Sequence, residues 1–275
     1  MTQVWCNGAF LDEKEARLSI ADRGFTLADG IFETLLGINE TPVWFAEHLR
    51  RLRDGASRLG LHVAFEDQTL EAAVIGLLRY NGFARSAVRI TLTRGPAAKR
   101  GLWVEDQSSP TLLITCASSA ATIKSQRVII ARSTRRNEHS PLSRIKSLNY
   151  GDNILARREA LSRGAADALM LNGQGHVVCA TVGNLFVRLK GGWITPPVAD
   201  GILPGIARAK IISCLNAKQV SLSEADVRSA DAAFISNSLG SIDIADIDGE
   251  KLRPCLAELP VAVLYETGAL PVDQT

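Results

Sequence analysis

The hydrophobic pattern of this chain changes period repeatedly, and each run is short. Residues 4–10 read as a strand interrupted by Asn7-Gly8, a strong two-residue turn signal, and so predict a hairpin. A second hairpin is predicted from 31–38 and 42–45 around Asn39-Glu40. Over 47–59 the period becomes helical: Leu49, Leu52, Ala56 and Leu59 share a face, with Arg50, Arg51 and Arg53 among them. A helix over 70–79 turns Leu70, Val74, Leu77 and Leu78 inward. Residues 86–93 and 111–116 read as strands, and Arg94-Gly95-Pro96 ends the first of them.

The stretch 117–125, ASSAATIKS, is small and polar and reads as an interdomain linker. The expected division is a small α/β domain over 1–118, a linker over 119–126 and a large cofactor-binding domain over 127–275. Beyond the linker come a strand at 128–131 and a polar loop through Asn137, His139 and Pro141. A helix follows over 149–163, with Gly164 as its cap. Strands are predicted at 168–171, 177–179, 185–189 and 232–235, and a helix starts near Gly205 in GILPGIARAKIISCL. Strands and helices do not alternate regularly, which favours a two-domain α+β architecture over a doubly wound sheet.

Composition narrows the function classes. Of 275 residues, 46% are hydrophobic and 22% charged, which excludes a disordered chain, a collagen-like fibre and a coiled-coil rod. Thirty-one basic against twenty-nine acidic residues leave a formal charge of +2, so there is no electrostatic case for binding nucleic acid or a membrane surface. Cys6, Cys116, Cys179, Cys214 and Cys255 are scattered and form no C-x-x-C pair, which argues for a reducing compartment. The opening MTQVWCNGAFLDEKE has no basic-then-apolar leader pattern, and the expectation is cytoplasmic. The four histidines lie far apart, so no metal site is expected.

Three features bear on chemistry. The first is Gly201-Ile202-Leu203-Pro204-Gly205-Ile206-Ala207-Arg208, which opens a helix whose first amides and dipole suit an anion, although most such starts are ordinary helix caps. Arg51 borders the apolar stripe of its helix and could fork onto a phosphate, and Ser236-Asn237-Ser238 follows a buried-looking strand. Lys146 lies between the apolar Ile145 and Leu148. A desolvated lysine has a lowered pKa and is a competent amine nucleophile toward a carbonyl.

Taken together the segments resemble a family. Asp22-Arg23-Gly24-Phe25, Ala28-Asp29-Gly30-Ile31-Phe32-Glu33-Thr34, Glu47-His48-Leu49-Arg50-Arg51-Leu52, Ile145-Lys146-Ser147-Leu148-Asn149, Thr181-Val182-Gly183-Asn184-Leu185-Phe186 and Gly201-Ile202-Leu203-Pro204-Gly205-Ile206 follow the order seen in class IV aminotransferases. These are fold type IV pyridoxal-phosphate enzymes, among them branched-chain and D-amino-acid aminotransferases and aminodeoxychorismate lyase. The resemblance implies a two-domain D-amino-acid-aminotransferase-like fold, pyridoxal 5'-phosphate as cofactor and a homodimer.

It also implies roles. Lys146 resembles the Schiff-base lysine and proton shuttle, and Arg51 the arginine on the cofactor phosphate. Ile206 and Ala207 resemble the helix amides on that phosphate, with Ala207 standing where the family often has Thr. Ser238 and Leu239 resemble a further phosphate contact, and Tyr150 a tyrosine near the cofactor. The family places a Glu on the pyridine nitrogen five residues before the strand Asn. Here that Asn is Asn184 and the position holds Cys179, with no acidic residue between Asp167 and Asp200. A neutral thiol supplies no carboxylate charge, so slow transamination is expected.

The implied substrates are small molecules, an amino acid or amine and a 2-keto acid. Phe32, where D-amino-acid aminotransferases carry a Tyr, and Lys99 or Arg100, as a carboxylate clamp, are the candidate substrate residues. An aminotransferase is favoured. A lyase releasing pyruvate and a cofactor-binding pseudoenzyme are the alternatives.

Overall fold

The computed structural model describes residues 2–99, 101–102, 109–121 and 125–259. Arg100 and residues 122–124 of the expected linker lie outside the described residues. Backbone contacts divide the chain into two compact units. One is Met1–Ala120 with Ile145–Asn149; the other is Ala121–Arg144 with Tyr150–Thr275. The short Ile145–Asn149 segment, which carries Lys146, therefore packs with a unit from which it is remote in sequence.

The first unit contains β1 (Gln3–Cys6), β2 (Ala9–Asp12), α1 (Arg23–Leu27), β3 (Gly30–Ile38), β4 (Thr41–Pro42), α2 (Phe45–Leu59), α3 (Asp67–Asn81), β5 (Arg85–Thr93) and β6 (Thr111–Ser118). Its six strands form one antiparallel sheet in the order β2-β1-β6-β5-β3-β4. The Asn7-Gly8 turn falls where expected, joining β1 to β2. The second hairpin is shorter than its pattern suggests. Its return strand stops at Pro42, because Phe45 already begins α2 and sends its ring into the core. Leu49, Leu52 and Ala56 of α2 and Leu70, Val74, Leu77 and Leu78 of α3 bury against Ile31, Leu35, Val88, Ile90, Leu92, Leu112 and Ile114 of the sheet.

The second unit contains β7 (Gln126–Arg136), α4 (Gly151–Ser162), β8 (Asp167–Asn172), β9 (Val177–Ala180), β10 (Asn184–Leu189), β11 (Gly192–Thr195), α5 (Ile206–Leu215), β12 (Lys218–Gln219), α6 (Glu224–Arg228), β13 (Ala232–Asn237), β14 (Gly240–Ile247) and β15 (Glu250–Lys251). β7 runs well past the predicted 128–131, because a register break between Ile130 and Arg135 hides its second half from a period-two pattern. Six strands, β10-β13-β14-β7-β8-β9, return on themselves, and the pair Asn184↔Cys179 closes the ring. Val128, Ile130, Leu169, Val177, Leu185, Val187, Ala233 and Ile235 form one core of this unit. A second cluster brings Ala156 and Ala160 of α4 onto Met170, Val178 and Cys179, and a third brings Ile211 of α5 onto Phe186 and Phe234. Among the described residues no helix is long and apolar enough to cross a membrane.

Candidate active site

Lys146 is held against the start of β3. The Phe32 N–H donates to the Lys146 carbonyl at 2.9 Å, the Leu148 N–H donates to the Gly30 carbonyl at 2.9 Å, and Ile31 bridges Ser147. A Cβ on Gly30 would overlap Leu148 and the Leu92 carbonyl, so this close approach requires glycine. The Lys146 Nζ lies 4.3 Å from the centre of the Phe32 ring, and the Arg89 guanidinium 3.7 Å from it. Burial lowers the Lys146 pKa to about 8; Glu33 opposes the shift, and Arg51 and Arg89 add to it. Of the two apolar flanks, Ile145 is buried and Leu148 is half-buried.

Beside it is a charged cluster. The Arg51 side chain is only 14% exposed. It turns toward β3 and forks onto Glu33, Nε to Oε1 and Nη2 to Oε2, both at 2.7 Å. His48 Nδ1 lies 2.7 Å from Glu33 Oε2, and both side chains are essentially inaccessible at 0% and 1% exposure. Burial pushes the Glu33 carboxyl up, but the hydrogen bonds from Arg51 and His48 and the Arg51 charge outweigh it and hold it below the ordinary range. Burial pushes the His48 pKa below its ordinary value; Glu33 opposes this and Arg51 and Lys146 add to it, so the neutral ring is favoured. Glu33, His48 and Arg89 escape a reading of local pattern. The available signal was an acid in the middle of a nearly continuous apolar strand, which must find a cationic partner.

The second unit carries the remaining candidates. Cys179 on β9, Asn184 on β10, Ser236 on β13 and Ser241 on β14 are successive cross-strand partners, so they form one row on one face. The Ser236 and Ser241 hydroxyls are buried and make no hydrogen bond. The Asn184 amide donates to the Leu203 carbonyl at 3.0 Å. A Cβ on Gly205 would overlap Asn184 Oδ1, which seats the start of α5 directly on this row. Gly205 caps α5 without a side chain, so Ile206 and Ala207 open the helix with no capping oxygen on their amides.

Burial pushes the Cys179 thiol up; Arg136 opposes this and Asp167 adds to it, so the group is a neutral thiol. Ser236 and Asn237 belong to β13 itself rather than following it, and Ser238 and Leu239 form the turn into β14. The Leu239 N–H donates to Asn237 Oδ1 at 2.8 Å. Tyr150 precedes α4 as its N-cap, and Lys99 is exposed.

The amino-transferase class IV family model matches residues 30–247. Over 259 residues the chain is 30% identical to a putative branched-chain-amino-acid aminotransferase of Methanocaldococcus jannaschii, covering 91% of this chain and 90% of that one. It is 28% identical to a D-alanine aminotransferase of Staphylococcus epidermidis, covering 92% of each. Among solved structures, a putative 4-amino-4-deoxychorismate lyase from Legionella pneumophila superposes with a TM-score of 0.84 at 29% identity, over 93% of this chain and 97% of that one. A hypothetical aminotransferase from Mycobacterium tuberculosis, in its PLP-bound form, superposes with a TM-score of 0.84 over 100% of both chains; at 19% identity it speaks to the fold alone.

Proposed function

The chain belongs to the class IV amino-transferases, and we propose that it moves an amino group between an amino acid or amine and a 2-keto acid, with Lys146 as the Schiff-base residue. The cofactor is pyridoxal 5'-phosphate, which when bound supplies the electron sink for a carbanion at the substrate Cα. Two observations support its fit. The start of α5 is uncapped and seated on a polar row, and the buried Ser236 hydroxyl in that row has no partner. In this reading Ile206, Ala207, Ser238, Leu239 and Arg51 hold the phosphate. Tyr150 lies near the ring, and Phe32 and Lys99 face substrate; Arg100, the other carboxylate-clamp candidate, lies outside the described residues.

The observation that carries the reading is the Lys146 amine, desolvated to a pKa of about 8 beside Phe32. About a tenth of the amine is unprotonated at pH 7, far more than for an ordinary lysine, so it can attack an aldehyde and later move the proton at Cα. Cys179 is where the fit is incomplete. A neutral thiol cannot hold a proton on the ring nitrogen, so transamination is slow. The enzyme works as a cytoplasmic homodimer, whose assembly light scattering tests.

A substrate panel of D-alanine, L-leucine and an aryl amine with a keto acid, followed by visible absorbance, tests the assignment. Turnover and absorbance are expected in wild type, and both are lost in Lys146→Ala, activity by roughly 10⁴-fold. Absorbance without turnover would leave only a cofactor-binding protein. The likeness to the Legionella protein favours a second reading, a lyase. Pyruvate release from aminodeoxychorismate without a keto acceptor would select it.

A further inference from the structure

Glu33 and His48 are buried beside Lys146 and have no part in the chemistry assigned so far. Packing alone does not account for them. A leucine on β3 and an apolar residue on α2 would fill the space at no desolvation cost, and buried ion pairs are often no more stabilising than such replacements. Their geometry points elsewhere. The Glu33 carboxylate receives three donors from one side of α2: His48 Nδ1 on Oε2, Arg51 Nε on Oε1 and Arg51 Nη2 on Oε2, each at 2.7 Å. Three donors fix the plane of the carboxylate, and the fork then fixes the plane of the guanidinium. The fork uses the Nε/Nη2 edge of Arg51, which directs Nη1 away from Glu33.

The surroundings of His48 favour the neutral ring. With Nδ1 donating to the carboxylate, Nε2 is a lone-pair acceptor, buried and without a hydrogen-bond partner. A second proton there would leave an N–H buried and unsatisfied. Phe32, whose ring lies under the Lys146 amine, is the residue before Glu33 on β3. The charged and titratable groups around that amine are Glu33 on β3, His48 and Arg51 on α2 and Arg89 on β5. Glu33 is the one anion among these described residues.

We propose that Glu33 and His48 are positioning residues. Neutral His48 orients the Glu33 carboxylate, which sets the Arg51 fork in one plane for a phosphate and supplies the negative charge facing the Lys146 amine. This rests on the assignment of Arg51 to the cofactor phosphate and Lys146 to its aldehyde.

The test uses the full chain freed of cofactor, with two readouts besides turnover. One is the dissociation constant for pyridoxal 5'-phosphate. The other is the pH midpoint of Lys146 modification by trinitrobenzenesulfonate, with Lys146→Ala as blank. Glu33→Gln is expected to weaken binding about tenfold or more and to move the midpoint about one pH unit lower, since the charge favouring the protonated amine is gone. His48→Asn keeps a donor at the Nδ1 position and should bind within about threefold of wild type, whereas His48→Gln offers its amide at the Nε2 position and should bind about tenfold more weakly. This Asn-against-Gln contrast carries the test if Glu33→Gln does not fold. Wild-type affinity and midpoint in Glu33→Gln, or equal affinities in the two His48 variants, overturn the proposal even where melting temperatures fall. Failure of wild type to bind the cofactor, or unchanged affinity in Arg51→Ala, overturns the underlying assignment instead.

Discussion

Around Lys146 the charged side chains are set against one another. Glu33 takes the Arg51 fork and the His48 ring, and the lysine amine and Arg89 lie over the Phe32 ring. The row Cys179, Asn184, Ser236 and Ser241 in the second unit carries no formal charge. It offers hydroxyls, an amide, a neutral thiol and the open start of α5. The two surroundings solve different problems. An amine nucleophile needs its charge weakened but not abolished, which takes burial tempered by one anion. An anion can be held by fixed dipoles that need no counter-charge of their own. Under the proposed function, Cys179 is the one position where the neutral solution would leave something missing.

The charged side of this comparison can be broken by removing the amine. Folding lowers the Lys146 pKa from 10.5 to about 8, so between those values the unfolded chain binds the extra proton. Stability due to this group therefore rises with pH across that window, and below it the folded, cofactor-free protein carries the whole penalty, at most about 3 kcal/mol. Lys146→Met abolishes the penalty. Its melting temperature should exceed that of cofactor-free wild type most at pH 7, and the gap should close as pH approaches 10.5. A gap independent of pH would mean that Lys146 is not desolvated in solution.

The neutral side can be broken by steric means. Gly205→Ala drives a methyl into Asn184 Oδ1, and Asn184 is tied to the Leu203 carbonyl and cannot swing freely. A loss of about 1–3 kcal/mol is expected in chemical denaturation, together with weaker cofactor binding. Wild-type stability would show that α5 does not rest on this row.

How much of this was legible in the sequence follows from what is local. The Asn7-Gly8 turn, the apolar faces of α2 and α3 and the apolar flanks of Lys146 are all encoded within a few residues, and the structure has them where the pattern puts them. The second half of β7 was hidden because a bulge breaks its alternation. The Glu33 cluster was hidden for a different reason. Glu33 lies on β3 and His48 and Arg51 on α2, and only when β3 is laid against α2 does the acid in the strand meet them. The family resemblance singled out Cys179 five residues before Asn184, but nothing local showed that this pair closes a ring of strands, since closure joins the first and last members of a six-strand order.

That closure sharpens the smallest and most specific prediction. Cys179 sits at the seam of the ring, buried against Met170, with a cation at Arg136 and an anion at Asp167 within electrostatic reach. Cys179→Glu places a larger, ionisable side chain there. Without cofactor the carboxyl is desolvated, so it takes up a proton and strains the seam, and the melting temperature should fall. With cofactor the same carboxylate can hold a proton on the ring nitrogen, and transamination should rise about tenfold, or about 1.4 kcal/mol of transition-state stabilisation. The two effects oppose each other in one variant, which separates them from a general loss of folding. A variant that is destabilised and also no faster would show that a missing carboxylate is not what limits this site, and that the neutral row suffices for whatever reaction the enzyme performs.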